Sequence, residues 1–332
     1  MSKQSVRARL LDTLLADIIL PPLPSTEIPL DDREIFGHNA ALRQLLGGAT
    51  CIEATNVARF FDDSYVNEDS FESFWTDLKC LVPPHEKFFV EWEKPLVPNG
   101  KRMGTLFLAC SPDQAEQTAR RILGEGTQTT PAKIAEFRSN PRCRWIYLTL
   151  EFLEFPYDAN DYISGVRGPY HLSTISVAED GGLLGFWMSR ATRNLPEQES
   201  MHVGAASLVA WTTLAMMNCA NVDTVAHCVP DAFQKARKKS GKKPLVAYHT
   251  IRVDLGKTPK QIAAESLPST NEEPLPAADG STPRRHKKRG HIKDYRRGKG
   301  LFGRYKGVWY WGPSLAGSET EGVIVSDYEV RP

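Results

Sequence analysis

The chain has 332 residues, 41% hydrophobic and 24% charged, close to the averages of folded proteins, which excludes a disordered, collagen-like or disulfide-dense architecture. Its formal net charge of +1 hides an asymmetry, because eleven Lys or Arg crowd residues 284–306 beside one acid, Asp294, while the totals of 41 basic and 40 acidic residues leave the rest acidic. An acidic body with a basic C-terminal segment points to a polyanionic partner, the alternative being a solvated loop lying against that body.

Apolar spacing over residues 5–19 predicts an amphipathic helix, interrupted by Asp12 and Asp17 and followed by no cleavage site, so it does not read as a signal peptide. The prolines of PPLPSTEIP end it. Two further helical patches, HNAALRQLLGG and DSFESFWTDLKCL, the second capped by Asp69 or Ser70, make residues 1–82 a mainly helical N-terminal region.

The period then changes from helical to alternating. KFFVEWE and GTLFLAC, with Asn99-Gly100 between them, and RWIYLTLEFLEF predict strands, and YHLSTISVAEDGGLLGFWMSR predicts a hairpin turning at Asp180-Gly181-Gly182. The apolar stretch at about residues 200–220 reads as a buried helix rather than a membrane span. It is followed by VDTVAHCV, a short basic helix DAFQKARKKSGKK and a strand PLVAYHTIRVDL. Residues 83–256 thus form the α+β core: a mainly antiparallel sheet packed by a few helices. Residues 257–283 are a Pro-, Ser- and acid-rich linker, and 284–332 a basic-aromatic, β-rich segment.

Six scattered cysteines, with no C-x-x-C pair and no secretory leader before them, fit reduced thiols in a cytoplasmic protein. Neither the cysteines nor the eight histidines have the spacing of a metal site, and no cofactor is expected. GKGLFG, residues 298–303, matches a dinucleotide-binding glycine pattern, but no apolar strand precedes it and no helix follows, so the glycines read as turns between basic strands.

The basic-aromatic segment carries the main functional signal. Arg284, Arg285, Lys287, Lys288, Arg289, Lys293, Arg296, Arg297 and Lys299 are candidate phosphate neutralisers, with His291 among them. Tyr295, Tyr305, Trp309, Tyr310 and Trp311 are candidate stacking platforms for unpaired bases, part of that aromatic surface being expected to serve as core. A second basic patch, Arg237, Lys238, Lys239, Lys242 and Lys243, either extends this surface or is a solvated helix end. If the protein is an enzyme, the candidates are His286 and His291 as acid or base of a metal-independent ribonuclease, with Arg285 or Arg289 stabilising the transition state.

Two stretches carry a family resemblance: NVDTVAHCVPDAFQKARKKSGKKPLVAYHTIRV, and RRHKKRGHIKDYRRGKG with the following GVWYWGPSLAG. They resemble a family of phage and plasmid proteins that joins an R-x-K-x-G-K-x-P-L-x-x-Y segment to an R-R-x-H-x-R-R-G-H segment, and that is similar to the type V-A anti-CRISPR blocking biogenesis of the type V-A effector nuclease. The matching positions are Arg237, Gly241, Lys242, Pro244, Leu245 and Tyr248, then Arg284, Arg285, His286, Arg289, Gly290 and His291. Lys288 stands where the family tends to have Arg, and RRGKGLFGRYK is inserted before the aromatic strand. The resemblance implies a mobile-element regulator in a bacterial cytoplasm. Such a protein would recognise a target polypeptide as it emerges and engage RNA or the ribosome, so that regulation is coupled to translation; a general RNA-binding phage protein is the simpler alternative.

Overall fold

The computed structural model describes residues 8–16, 40–58, 61, 78–93, 100–123, 129–155, 165–169, 171–190, 207–253, 284–288, 291–300, 306–311, 314–316 and 318–324. The 257–283 linker and most of the helix expected over 69–81 lie outside them; Leu78–Leu81 are described and are not helical. The fold is α+β, and the chain divides into two compact units: residues 1–218 with 224–252, and residues 219–223 with 253–332.

The first unit is built on one mixed sheet. Strand β1 (Thr50–Glu53) runs parallel to β2 (Lys87–Glu93) and to β9 (Tyr248–Val253). From β2 outward the ladder is antiparallel through β3 (Arg102–Cys110), β4 (Cys143–Phe155), β6 (His171–Ala178) and β7 (Leu183–Arg190). Short β5 (Gly165–Arg167) pairs the end of β4, and β8 (Val222–His227) follows β9 at the other edge.

Alternation along these strands sends apolar side chains to both faces, so the sheet needs a helical cover on each. One face carries Phe89, Leu106, Leu148, Leu150 and Phe152. It is covered by α1 (Leu10–Ala16), α2 (residues 40–46), α4 (Pro112–Leu123) and α5 (Thr129–Ser139), whose Leu10, Leu14, Leu46, Ala115, Ala119 and Ile134 are fully buried. Gly104 on β3 lets the Phe89 ring lie across the strand: a Cβ there would stand 2.2 Å from the ring. The other face presents an aromatic cluster in which Trp211 of α6 (Leu208–Met217) meets Phe107 edge-on at 4.8 Å and Tyr147 at 5.7 Å, while Phe88 stacks on Phe107 at 4.6 Å. Short α3 (Thr55–Ala58) packs near α6. Helix α6 is apolar nearly all round and eight of its residues are buried, which identifies it as a core helix.

Several buried polar groups in this unit act as clamps. Arg102 and Glu154, cross-strand neighbours, form a bidentate ion pair with Nη2 donating to Oε1 at 2.7 Å. Glu91 accepts the Leu11 N–H of α1 at 3.0 Å, and Asp12 accepts the N–H groups of Arg9 and Val246 at 2.8 and 2.7 Å. Among the described residues no helix is long and apolar enough to cross a membrane.

The second unit contains two small sheets. Strand β10 (Arg284–Lys288) lies between β13 (Ser314–Ala316), antiparallel to it, and β14 (Ser318–Ile324), parallel to it. Strands β11 (His291–Asp294) and β12 (Val308–Trp311) form an antiparallel pair.

Candidate nucleic-acid interface

The β11–β12 pair sorts its side chains by strand alternation. The register places His291 opposite Trp311, Ile292 opposite Tyr310, Lys293 opposite Trp309 and Asp294 opposite Val308. Val308 and Tyr310 are buried, so their side is core. His291, Lys293, Trp309 and Trp311 therefore share the opposite side, where both indoles are half-buried and Lys293 is exposed.

The groups on that side are in contact with one another. The His291 ring lies parallel to the Trp311 indole, centroids 6.3 Å apart and planes 4° apart. Lys293 holds its Nζ 5.3 Å from the same indole centroid, a cation–π distance. A half-open indole flanked by an ammonium and an imidazole can stack a base and neutralise its phosphate.

Residues 219–223 hold this pair from the side. Asn221 Nδ2 donates to the Tyr310 carbonyl at 2.8 Å, and the Tyr310 N–H donates to Asn221 Oδ1 at 2.9 Å, so one side chain completes the ladder as another strand would. The Ala220 N–H donates to the Val308 carbonyl at 2.7 Å, and the Tyr295 N–H to Gly307 at 2.8 Å. The role of Asn221 has no signal in the sequence, because its partner is backbone 89 positions away.

The remaining candidates are distributed. Arg296 is tied to Asp294, with Nη2 to Oδ2 at 2.7 Å and Nε to Oδ1 at 3.0 Å; that hydrogen bonding by the guanidinium holds the Asp294 carboxyl below its usual value. The charge of this cation is thereby answered by Asp294 within the turn. Arg297 and Lys299 are exposed beside Gly298 and Gly300, whose φ angles of +79° and +81° mark the turn expected of these glycines. Tyr295 is half-buried at the end of β11. Arg284, Arg285, His286, Lys287 and Lys288 form β10, in a different sheet from His291, while Arg289, Gly290 and Tyr305 lie outside the described residues.

The second basic run sits in the first unit on α7 (Asp231–Lys239) and the loop after it. Arg237 Nε donates to the Lys243 carbonyl at 2.9 Å, and Lys243 Nζ to the Leu15 carbonyl at 2.8 Å. Gln234 bonds both backbone groups of Leu245, which is buried, and Gly241 turns the chain at φ +71°. Tyr248 lies under the Arg9 guanidinium at 3.6 Å and stacks on His227 at 4.7 Å. Arg237, Gly241, Leu245 and Tyr248 of the R-x-K-x-G-K-x-P-L-x-x-Y segment thus secure a helix and a loop to the sheet.

Among the described residues no group of three His, Cys, Asp or Glu is placed to hold a metal ion. No protein-family model matches the chain, nor does any curated protein or solved structure.

Proposed function

We propose that this protein binds single-stranded RNA through the face made by His291, Lys293, Trp309 and Trp311. The observation that carries the reading is the flat His291–Trp311 stack with Lys293 over the same indole. Stacking on an indole accepts any base, and Lys293 with Arg297, Lys299 and Lys306 supplies cations for the backbone, so the binding is weakly sequence-selective and falls with salt. The segments that resemble the phage and plasmid family extend this to a regulator made by a mobile element, acting in the bacterial cytoplasm. There it engages RNA or the ribosome while its first unit recognises a target polypeptide, an anti-CRISPR-like role.

The test is equilibrium binding of a labelled uridine-rich 8-mer RNA and of a DNA duplex. Trp311→Ala is expected to weaken RNA binding about tenfold, within the ~1–3 kcal/mol of one stacked base. Duplex binding should change little. Unchanged RNA affinity in Trp311→Ala and Lys293→Ala would refute the interface. Cleavage of the RNA by wild type but not by His291→Ala would favour the ribonuclease reading. The wider role is tested by sequencing RNA that co-purifies with the tagged protein from bacteria: ribosomes plus one enriched message supports it, and diverse RNA without enrichment leaves a general RNA binder.

A further inference from the structure

The basic run of residues 235–243 divides into cations the fold uses and cations it does not. Arg237 and Lys243 are engaged with backbone carbonyls. Lys235, Lys238, Lys239 and Lys242 are exposed, and none makes an ion pair or a side-chain hydrogen bond among the described residues. On α7 the first three stand at i, i+3 and i+4 and so share one side, with Lys242 in the turn beyond. Gln234 and Arg237, which dock the helix, project from a neighbouring sector. No residue of α7 is buried.

A stripe of this composition discriminates between classes of partner. Protein interfaces are depleted of Lys and are built around aromatic and Arg anchors; on α7 the exposed Phe233 and the docked Arg237 lie off the lysine stripe, by helical spacing. Lys is a hydrated point charge without the planar fork that reads carboxylates or base edges, so a lysine stripe suits a row of phosphates. Lys235 and Lys239 are about 6 Å apart along the helix axis, close to the separation of successive phosphates on one strand. The last turn also favours cations, since the helix dipole is negative there, which lowers the cost of keeping three basic residues together before an anion arrives.

We propose that Lys235, Lys238, Lys239 and Lys242 form a second RNA-binding surface, on the first unit, that grips the phosphates of the same strand whose bases stack on the second unit. The inference rests on the RNA-binding reading above and adds to it a second row of cations: base stacking with its local phosphate contacts on one unit, further phosphate contacts on the other. Two tethered sites make the second contact intramolecular, so affinity rises steeply once an RNA is long enough to reach both.

The experiment compares uridine-rich 8-mer and 30-mer RNAs on the full chain, wild type beside the triple variant Lys235→Gln, Lys238→Gln, Lys239→Gln and beside Trp311→Ala. These lysines are exposed and make no ion pair or side-chain hydrogen bond among the described residues, so the triple variant should melt as wild type does. Wild type is expected to bind the 30-mer more tightly than the 8-mer by well over the factor that its number of overlapping 8-nucleotide registers gives a single site. In the triple variant that advantage should fall to the register factor alone while 8-mer affinity holds. The salt slope for the 30-mer should become shallower by about 2, at roughly 0.7 for each lost single-strand phosphate contact. Unchanged 30-mer affinity in the triple variant overturns the second surface. So does an equal loss for both lengths, which would mean one continuous site, or displacement of the 30-mer from wild type by polyglutamate at equal charge, which would mean an acidic protein partner. If Trp311→Ala weakens both RNAs and the triple variant neither, only the second surface falls; if wild type binds neither RNA, both readings fall.

Discussion

Glu151 stands in the middle of β4, on the face shared with Tyr147, and is almost wholly buried. Thr149 donates to its Oε1 at 3.2 Å, but among the described residues Oε2 has no partner, and the hydroxyl of Thr105 directly across the ladder has none either. Burial pushes the carboxyl up to about 8 from an ordinary 4.5. The folded chain therefore holds a proton that the unfolded chain releases. The contribution of this carboxyl to stability is fullest below about pH 4.5 and declines as pH rises towards 8. Glu151→Gln should remove most of that slope, leaving stability near pH 4.5 little changed and raising it at pH 8 by a few kcal/mol, on the scale of ~1.4 kcal/mol per pKa unit. Urea unfolding at a series of pH values checks this, and a slope as steep as wild type would count against the assignment. Some slope should remain, because burial also raises Glu91, to about 7, even though the Leu11 N–H and Arg9 pull it down. In LTLEFLEF an acid between apolar residues reads as the solvent face of a strand; helices on both faces make it interior instead, and one sequence cannot reveal the second cover.

At the level of elements, Asn221 supplies two of the hydrogen bonds that hold the β11–β12 pair. Asn221→Ala removes both bonds to Tyr310 and leaves two backbone groups unanswered, a cost of about 1–3 kcal/mol. Amide exchange at Tyr310 should then quicken by about tenfold or more, with weaker RNA binding and an unchanged melting transition in the first unit. Asn221→Asp keeps the acceptor for the Tyr310 N–H and loses only the donor, so it should fall between the two. An exchange rate in Asn221→Ala equal to wild type would show that the side-chain bonds are dispensable.

The elements legible in the sequence are those whose local chemistry agrees with their final place. Strands β2, β3, β4, β6 and β7 show alternation or aromatic and branched residues, and the Asp180-Gly181-Gly182 turn has Gly181 at φ +82° with the Gly182 N–H donating to Asp180 Oδ1 at 3.0 Å. Strand β1 gives no such sign. TCIE is four residues long, buried on both faces at Cys51 and Ile52, and sits within a region that otherwise reads as helical. The same limit applies to the interface: the crowding of cations and aromatics in 284–311 is plain. Which of them meet depends on β10 and β11 joining different sheets, and that pairing is not written into strands of five and four residues.

For the molecule as a whole, the division into two units does not follow a single cut in the chain. Residues 219–223 belong with 253–332, although the sequence on either side of them belongs to the first unit. A fragment beginning at Val253 would lack Ala220 and Asn221, so β12 would lose the Val308 and Tyr310 bonds they supply. Such a fragment is expected to show faster amide exchange over 308–311 than the full chain and to lose most RNA affinity. Adding residues 216–223 through a flexible linker should restore both. A fragment as protected as the full chain would show that the C-terminal residues form the hairpin unaided.

The parallel pairing of β1 with β9 joins Cys51 to Tyr248 and Ile52 to His249. In a chain made from its N-terminus, β1 leaves the ribosome about 200 residues before β9, and at ~5–20 residues per second that is roughly 10–40 s. Over that interval β2 can close one side of β1, but the other side must wait. The sheet is thus completed late in synthesis, with β1 open at its edge to pairing with another nascent chain. A slowed or stalled translation between residues 100 and 248 would lengthen that exposure, so the yield of folded protein should depend on elongation rate as well as on final stability.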